Sequence, residues 1–232
     1  TNTIDLSQYI TDVEAFQADI LAQLRVDTTG KLDVSKYNIP GNYEHFVALC
    51  NLIRDESPEL FRISPAGNFS ASYYNTITTI SVEYLFDTPE EFNKEYENFL
   101  KTSSKLLENI KNNETLNDVE KALLLHDRLA EHCEYDYANY KANKLQPSSH
   151  SAYGAICLGT AVCQGYAYAY DYLLEQVGIK SDYCSSKKLC HAWNIVYIDN
   201  KPYHVDVTSD DPVWDITGRV LHTNFLRSTE GI

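Results

Sequence analysis

The stretch GTAVCQGYAYAYDYLLEQVG, residues 159–178, sets a single cysteine where small residues give way to a long aromatic segment. The run from Cys163 to about Val177 predicts a helix, which Gly178 ends. Cys163 then lies in its first turn. Unpaired backbone N–H groups and the positive end of the helix dipole favour a thiolate over a thiol at that place. A thiol nucleophile needs such a bias near neutral pH. Cysteines at helix starts also serve as packing residues, so position alone leaves both roles open. Tyr166 and Tyr170 share a helix face by i, i+4 spacing and read as core. Gly165 lets the helix start pack closely, or lets a substrate backbone approach.

Downstream, IKSDYC (179–184), HAWNIVYI (191–198) and KPYHVDVT (201–208) read as strands, the last two joined by a turn-like DNK. His191 opens its strand, and Trp193, Ile195 and Tyr197 share its face because strand side chains alternate. Asp206 is predicted mid-strand between Val205 and Val207, a costly place for an unpaired carboxylate. Beside the His191 strand it can accept from the imidazole, fix its tautomer and stabilise the imidazolium. His204 shares the Asp206 face and is a candidate lining residue. His126 reads as a helix residue bonded to neighbouring structure, and Asp210 and Asp211 as solvated turn acids before Pro212. The Cys163 backbone N–H is a natural oxyanion donor. Gln164 and Tyr153 are candidates for the second donor or a substrate contact, each with a structural role as the alternative.

Together, AVCQGYAYAYDYLL, HAWNIVYIDNKPYHVDVTSDDP, LLLHDRLAEHCEYD (123–136) and SSHSAYGAI (148–156) resemble the bacterial transglutaminase-like core family of papain-like cysteine enzymes. The resemblance runs from about Leu116 to Ser228. SPELFRI (57–63) and ITTISVEYLF (77–86) resemble the amino-terminal extension of many bacterial members. The resemblance implies Cys163 as nucleophile, His191 as general base and Asp206 as its orienter, with no departure at these positions. It also implies an α+β, papain-like core in which the helix bearing the cysteine packs on a small antiparallel sheet. The activity implied is attack on peptide or side-chain amides through a Cys thioester. Hydrolysis by water is the expectation, with glutamine γ-glutamyl transfer to a lysine amine as the alternative. A non-catalytic surface interaction domain is the remaining alternative, for which a lost triad member would be the signature. The resemblance suggests a secreted or cell-surface bacterial protein whose partner is a peptide or protein substrate.

The rest of the chain predicts helices over 12–25, from Tyr43 to about Glu56, from Pro89 to about Ile110, and from about Asn117 onward. TITTISVEYLF (76–86) reads as a strand. A polar joint near residue 113 divides a mainly helical amino-terminal extension, 1–112, from a catalytic core, 113–232. The 232 residues carry a net charge of −14, with 33 acids against 19 Lys and Arg. Such a surface repels phosphate backbones, which excludes a nucleic-acid binder. No apolar run approaches the roughly 20 residues of a membrane span. The chain opens without Met and contains none, which reads as a processed chain from which a signal peptide is already gone.

Six cysteines are too few for a disulfide scaffold at this length. Cys184 and Cys190 could bridge a hairpin loop, but two free thiols is the preferred reading. A zinc site from Cys163, Cys184, Cys190 and His191 lacks any C-x2-C knuckle, and no calcium loop is present. No metal and no cofactor are expected.

Overall fold

The computed structural model describes residues 4–213 and 218–229. Packing divides the chain into two compact units, Thr1–Tyr96 and Glu97–Ile232. That division falls inside one helix, whereas the expected boundary at 112/113 falls in the polar joint that follows it.

The first unit is α+β. Helix α1 (Val13–Leu24) starts where the Asp12 side chain accepts from Ala15 N at 2.9 Å. Strand β1 (Lys31–Asp33) follows, and then helix α2 (Tyr43–Arg54), capped in the same way by Asn42 on His45 N at 3.0 Å. After α2, Pro58 opens a single 3-10 turn, so the helical reading of the sequence stops where Pro disfavours it. Strands β2 (Ser70–Tyr73) and β3 (Ile77–Ser81) pair antiparallel, and β1 adds to the other edge of β3 in the order β1-β3-β2. Phe16, Ile20 and Leu24 of α1, Leu32 of β1, and Ile77 and Ile80 of β3 are fully buried.

Arg62 is buried with them. Its guanidinium donates to the carbonyls of Leu24, Asp27 at 2.9 Å, Phe86 at 3.3 Å and Asp87 at 3.4 Å. It also stacks 4.0 Å from the centroid of Tyr84. One cation therefore satisfies the last carbonyl of α1 and the chain leading into the next helix. That helix, α3 (Pro89–Leu106), begins with Pro at its first position and Glu90 and Glu91 in its first turn.

The second unit holds the cysteine. Helix α4 (Asp118–His132) opens on a capping box in which Asn117 and Glu120 satisfy each other's backbone N–H at 3.0 and 2.8 Å. A two-residue strand β4 (Glu134–Tyr135), a short helix α5 (Tyr137–Ala142) and a π-helical turn, Gly154–Leu158, lead to strand β5 (Thr160–Ala161), parallel to β4. Helix α6 (Cys163–Glu175) comes next and ends before Gly178, whose φ of +78° is the left-handed value glycine favours.

Strands β6 (Ser181–Ser186), β7 (His191–Ile198) and β8 (Lys201–Val205) form an antiparallel sheet in that order. Asp199 and Asn200 both take positive φ, 50° and 61°, which makes a tight two-residue hairpin between β7 and β8. Ala192, Asn194, Val196 and Ile198 of β7 are buried, and the buried Asn194 donates to Ala167 O of α6 at 2.9 Å. The cysteine helix thus lies on a small antiparallel sheet, as expected. A one-turn helix, α7 (Val207–Asp210), follows the sheet. No helix of the described residues is long and apolar enough to cross a membrane.

Candidate active site

Cys163 is the first residue of α6, and Val162 before it offers no side-chain cap. The start of α6 is clamped from outside the helix. Val162 N donates to Ser149 O at 2.9 Å. A Cβ on Gly165 would stand 2.8 Å from Ser149 O and from Ala161 Cβ, and 2.9 Å from Ser151 O. Of the two roles open to Gly165, close packing is the one the structure shows. Tyr166 anchors the same turn, its hydroxyl lying within hydrogen-bond distance of Cys133 O, at 2.7 Å, and of the Asp211 carboxylate. Tyr170 donates to Ala122 O of α4 at 2.8 Å. Both tyrosines are buried, and Cys163 keeps partial exposure.

His191 Nε2 lies 2.7 Å from Asp206 Oδ2, and the ring borders the same cleft as Cys163. The imidazolium is held charged up to about 10, first by the Asp206 bond and then by the neighbouring Cys163, against burial. Burial alone would raise the Asp206 carboxyl, but its bonds from His191 and Ser209 outweigh that and hold it below its usual range. Trp193 stacks beside His191, with ring centroids 5.9 Å apart and planes 20° from parallel.

Asp206 is not mid-strand. Strand β8 ends at Val205, and Asp206 is the N-cap of α7, with Oδ1 accepting from Ser209 N at 3.0 Å and Oδ2 from Ser209 Oγ at 2.6 Å. The carboxylate therefore satisfies a helix start and a histidine at once, which is how its burial is compensated. Asp210 and Asp211 are not solvated turn acids either; both are buried. Asp210 faces His126 Nε2 at 3.2 Å, and Asp211 accepts from Tyr166.

A cleft of about 320 Å3 opens over Cys163 and His191, bordered by Gln164, Tyr135, Tyr140, His150, Tyr183 and Lys187. Gln164 reaches it with both ends of its carboxamide engaged, to His150 Nδ1 at 3.1 Å and to Tyr168 Oη at 3.0 Å. His204 lies elsewhere. It accepts from Trp193 Nε1 at 2.8 Å and lines a smaller hollow of about 130 Å3 with His191 and Asp206, but not Cys163. Tyr153 is buried at 7% exposure and borders neither space. A larger concavity, about 910 Å3, lies between the end of α3 and the joint before α4, and its lining carries no Cys or His. Sequence reasoning did not find Tyr135, Tyr140, His150 or Ser209, because each reaches the site from a loop or short element without periodicity. All six thiols are free, and Cys184 stands opposite Trp193 across the sheet rather than opposite Cys190.

Residues 104–207 match the transglutaminase-like superfamily. This segment is a transglutaminase-like core. Its match spans the cysteine helix, the β6–β8 sheet and Asp206. Among solved structures, the crystal structure of a TGase is 16% identical, covering 67% of this chain and 47% of that one, with a TM-score of 0.41. The chain thus spans about half the length of that relative. No curated protein matches it. Within the transglutaminase-like core, a cysteine at a helix start and a histidine bonded to a helix-capping carboxylate border one cleft. This geometry suits nucleophilic attack followed by proton delivery to a leaving amine.

Proposed function

We propose that the chain is a thiol hydrolase that cleaves peptide or side-chain carboxamide bonds through a thioester on Cys163. The observation that carries this reading is the His191 ring, bonded to Asp206 at 2.7 Å and bordering one cleft with Cys163. In the reading, Cys163 Sγ attacks the amide carbon and His191 protonates the departing nitrogen. The thioester then yields to water that His191 deprotonates. Backbone N–H groups at the uncapped start of α6 receive the developing oxyanion.

Chemistry up to the thioester is common to hydrolysis and to transfer onto an amine. What favours water is access: Cys163 is partly exposed, and His191 keeps 26% side-chain exposure. A transferase has to hold water away from its thioester.

The test is mass spectrometry of a peptide library incubated with the protein, with and without a primary amine. Shortened or deamidated peptides in both arms support the hydrolase. Amine-adducted peptides at the expense of hydrolysis would make it a transferase. No change in either arm, with Cys163 intact, would turn the reading toward a binding domain.

A further inference from the structure

Away from the Cys163 cleft, three side chains meet at one point of the second unit. His126 and Asp127 are neighbours on α4, and His222 arrives from the segment after α7. Donor atoms of the three lie within 4.8 Å of one another. Asp127 Oδ1 stands 2.9 Å from His126 Nδ1 and 2.8 Å from His222 Nε2. The His126 side chain is wholly buried, while Asp127 and His222 keep 31% and 48% side-chain exposure. The group is therefore anchored on one side and open to solvent on the other.

The buried side is built. His126 Nε2 faces Oδ2 of Asp210 at 3.2 Å, and Asp210 is itself fully buried. Asn224 fixes that carboxylate, its backbone N–H reaching the two oxygens at 3.0 and 3.1 Å and its side-chain amide reaching Oδ1 at 3.1 Å. Carboxylates stand at both ring nitrogens, Asp127 at Nδ1 and Asp210 at Nε2. A cation at Nδ1 takes the lone pair there and leaves the ring proton on Nε2, where Asp210 accepts it. A carboxylate behind a histidine, fixing its tautomer, is the arrangement that supports metal-bound imidazoles.

We propose that His126 Nδ1, the Asp127 carboxylate and His222 Nε2 bind a divalent first-row cation of the Zn2+ type, with water completing the shell. Two imidazoles and one carboxylate suit such a borderline cation better than Ca2+ or Mg2+, which prefer an all-oxygen shell. Tetrahedral bonds of roughly 2.0–2.1 Å set ligand atoms about 3.3 Å apart, so the two close contacts widen by about half an ångström on binding. Rotation of the two solvent-facing side chains supplies that movement.

The role that follows is structural. The cation joins α4 to the segment carrying His222, and that segment continues through Asn224, whose carbonyl accepts from Asp206 N at 3.0 Å. Arg227 further on exchanges backbone bonds with His204 at 2.8 and 2.9 Å. A bound metal thus steadies the chain that supports Asp206, without touching the Cys163 cleft. The site stands whether or not Cys163 is a nucleophile. No spacing motif announces it, since His222 lies 95 residues beyond Asp127.

The test is Zn2+ titration by calorimetry and Co2+ titration by absorption, on the full chain stripped with a chelator and carrying Cys163→Ala to remove the cleft thiol. One equivalent should bind and raise Tm, with weak d–d bands and no thiolate-to-cobalt charge-transfer band. His222→Ala and Asp127→Asn should each abolish the Tm rise. Asp210→Asn should weaken binding about 10–100-fold by releasing the His126 tautomer. Absence of saturable binding, binding unchanged by His222→Ala and by Asp127→Asn, or a thiolate charge-transfer band would each overturn the proposal.

Discussion

His191 and Asp206 meet at 2.7 Å across the end of the sheet, the histidine opening β7 and the aspartate capping α7 just after β8. The β7–β8 hairpin pairs Asn194 with Val205, which brings the start of one strand beside the end of the other. The contact is thus set by strand register as well as by side-chain chemistry. A slip of one residue would send every side chain to the opposite face.

The pair should make stability depend on pH with a definite sign. The folded value of His191 stands above its ordinary 6.5, so its contribution is complete below about 6.5 and fades as pH rises through about 10. Asp206 is held below its ordinary 3.8, so its contribution is complete above 3.8 and fades as pH falls through its lower folded value. The stability difference between the wild type and His191→Ala, measured by urea unfolding, should therefore shrink between pH 7 and 10. A difference that stays flat over that range would show that the histidine is not held charged.

Asp206→Asn separates two jobs of one side chain. Asparagine caps helices about as well as aspartate, so α7 should persist. The anion behind the imidazolium is lost, and by analogy with other triads the rate of acylation should fall by about 10–10³-fold. Asp206→Ala removes the cap as well and should also lower Tm. Single-turnover acylation and circular dichroism on both variants read these effects apart. A folded, fully active Asp206→Asn protein would leave a Cys–His dyad.

Gly165→Ala adds one methyl against the carbonyls of Ser149 and Ser151, neither of which can yield cheaply. The start of α6 must shift, at a cost of about 1–3 kcal/mol, and Cys163 moves with it. The urea midpoint should fall together with the turnover rate. An unchanged midpoint would mean that the clamp on the helix start is loose.

Arg62→Met keeps most of the apolar stem in the first unit but removes the donors for four carbonyls. A buried acceptor left without its donor costs about 1–3 kcal/mol; only the Leu24 bond is fully buried and the other three are part-buried, so a loss of roughly 2–4 kcal/mol is expected. Differential scanning calorimetry should show the loss as a lower Tm. An unchanged Tm would mean that water replaces the guanidinium at no cost.

Much of this architecture was legible in the chain. The α6 helix, the alternation of β7 and the turn at Asp199–Asn200 are local patterns, and local patterns are what periodicity and turn chemistry report. Cys163 and His191 stand at the starts of such elements, where the sequence puts them, whereas Asp206 reads as mid-strand and instead caps α7. The misreadings concern carboxylates whose partners are remote in sequence. Asp210 is buried because His126, 84 residues earlier, and Asn224 meet it, and Asp211 because Tyr166, 45 residues earlier, donates to it. No window along the chain contains those pairs. The cap role of Asp206 was hidden for a different reason: α7 is only 4 residues long, too short to show a period.

The central claim is that His191 and Asp206 make Cys163 a nucleophile, and timed labelling by iodoacetamide at pH 6 with peptide mapping tests it without a known substrate. Ordinary thiols, with a pKa of about 8.5, are almost wholly protonated there. The account predicts that Cys163 reacts fastest of the six cysteines, and that His191→Ala reduces it to the rate of an ordinary exposed thiol. Uniformly slow labelling of all six in the wild type, or an undiminished Cys163 rate in His191→Ala, would contradict it.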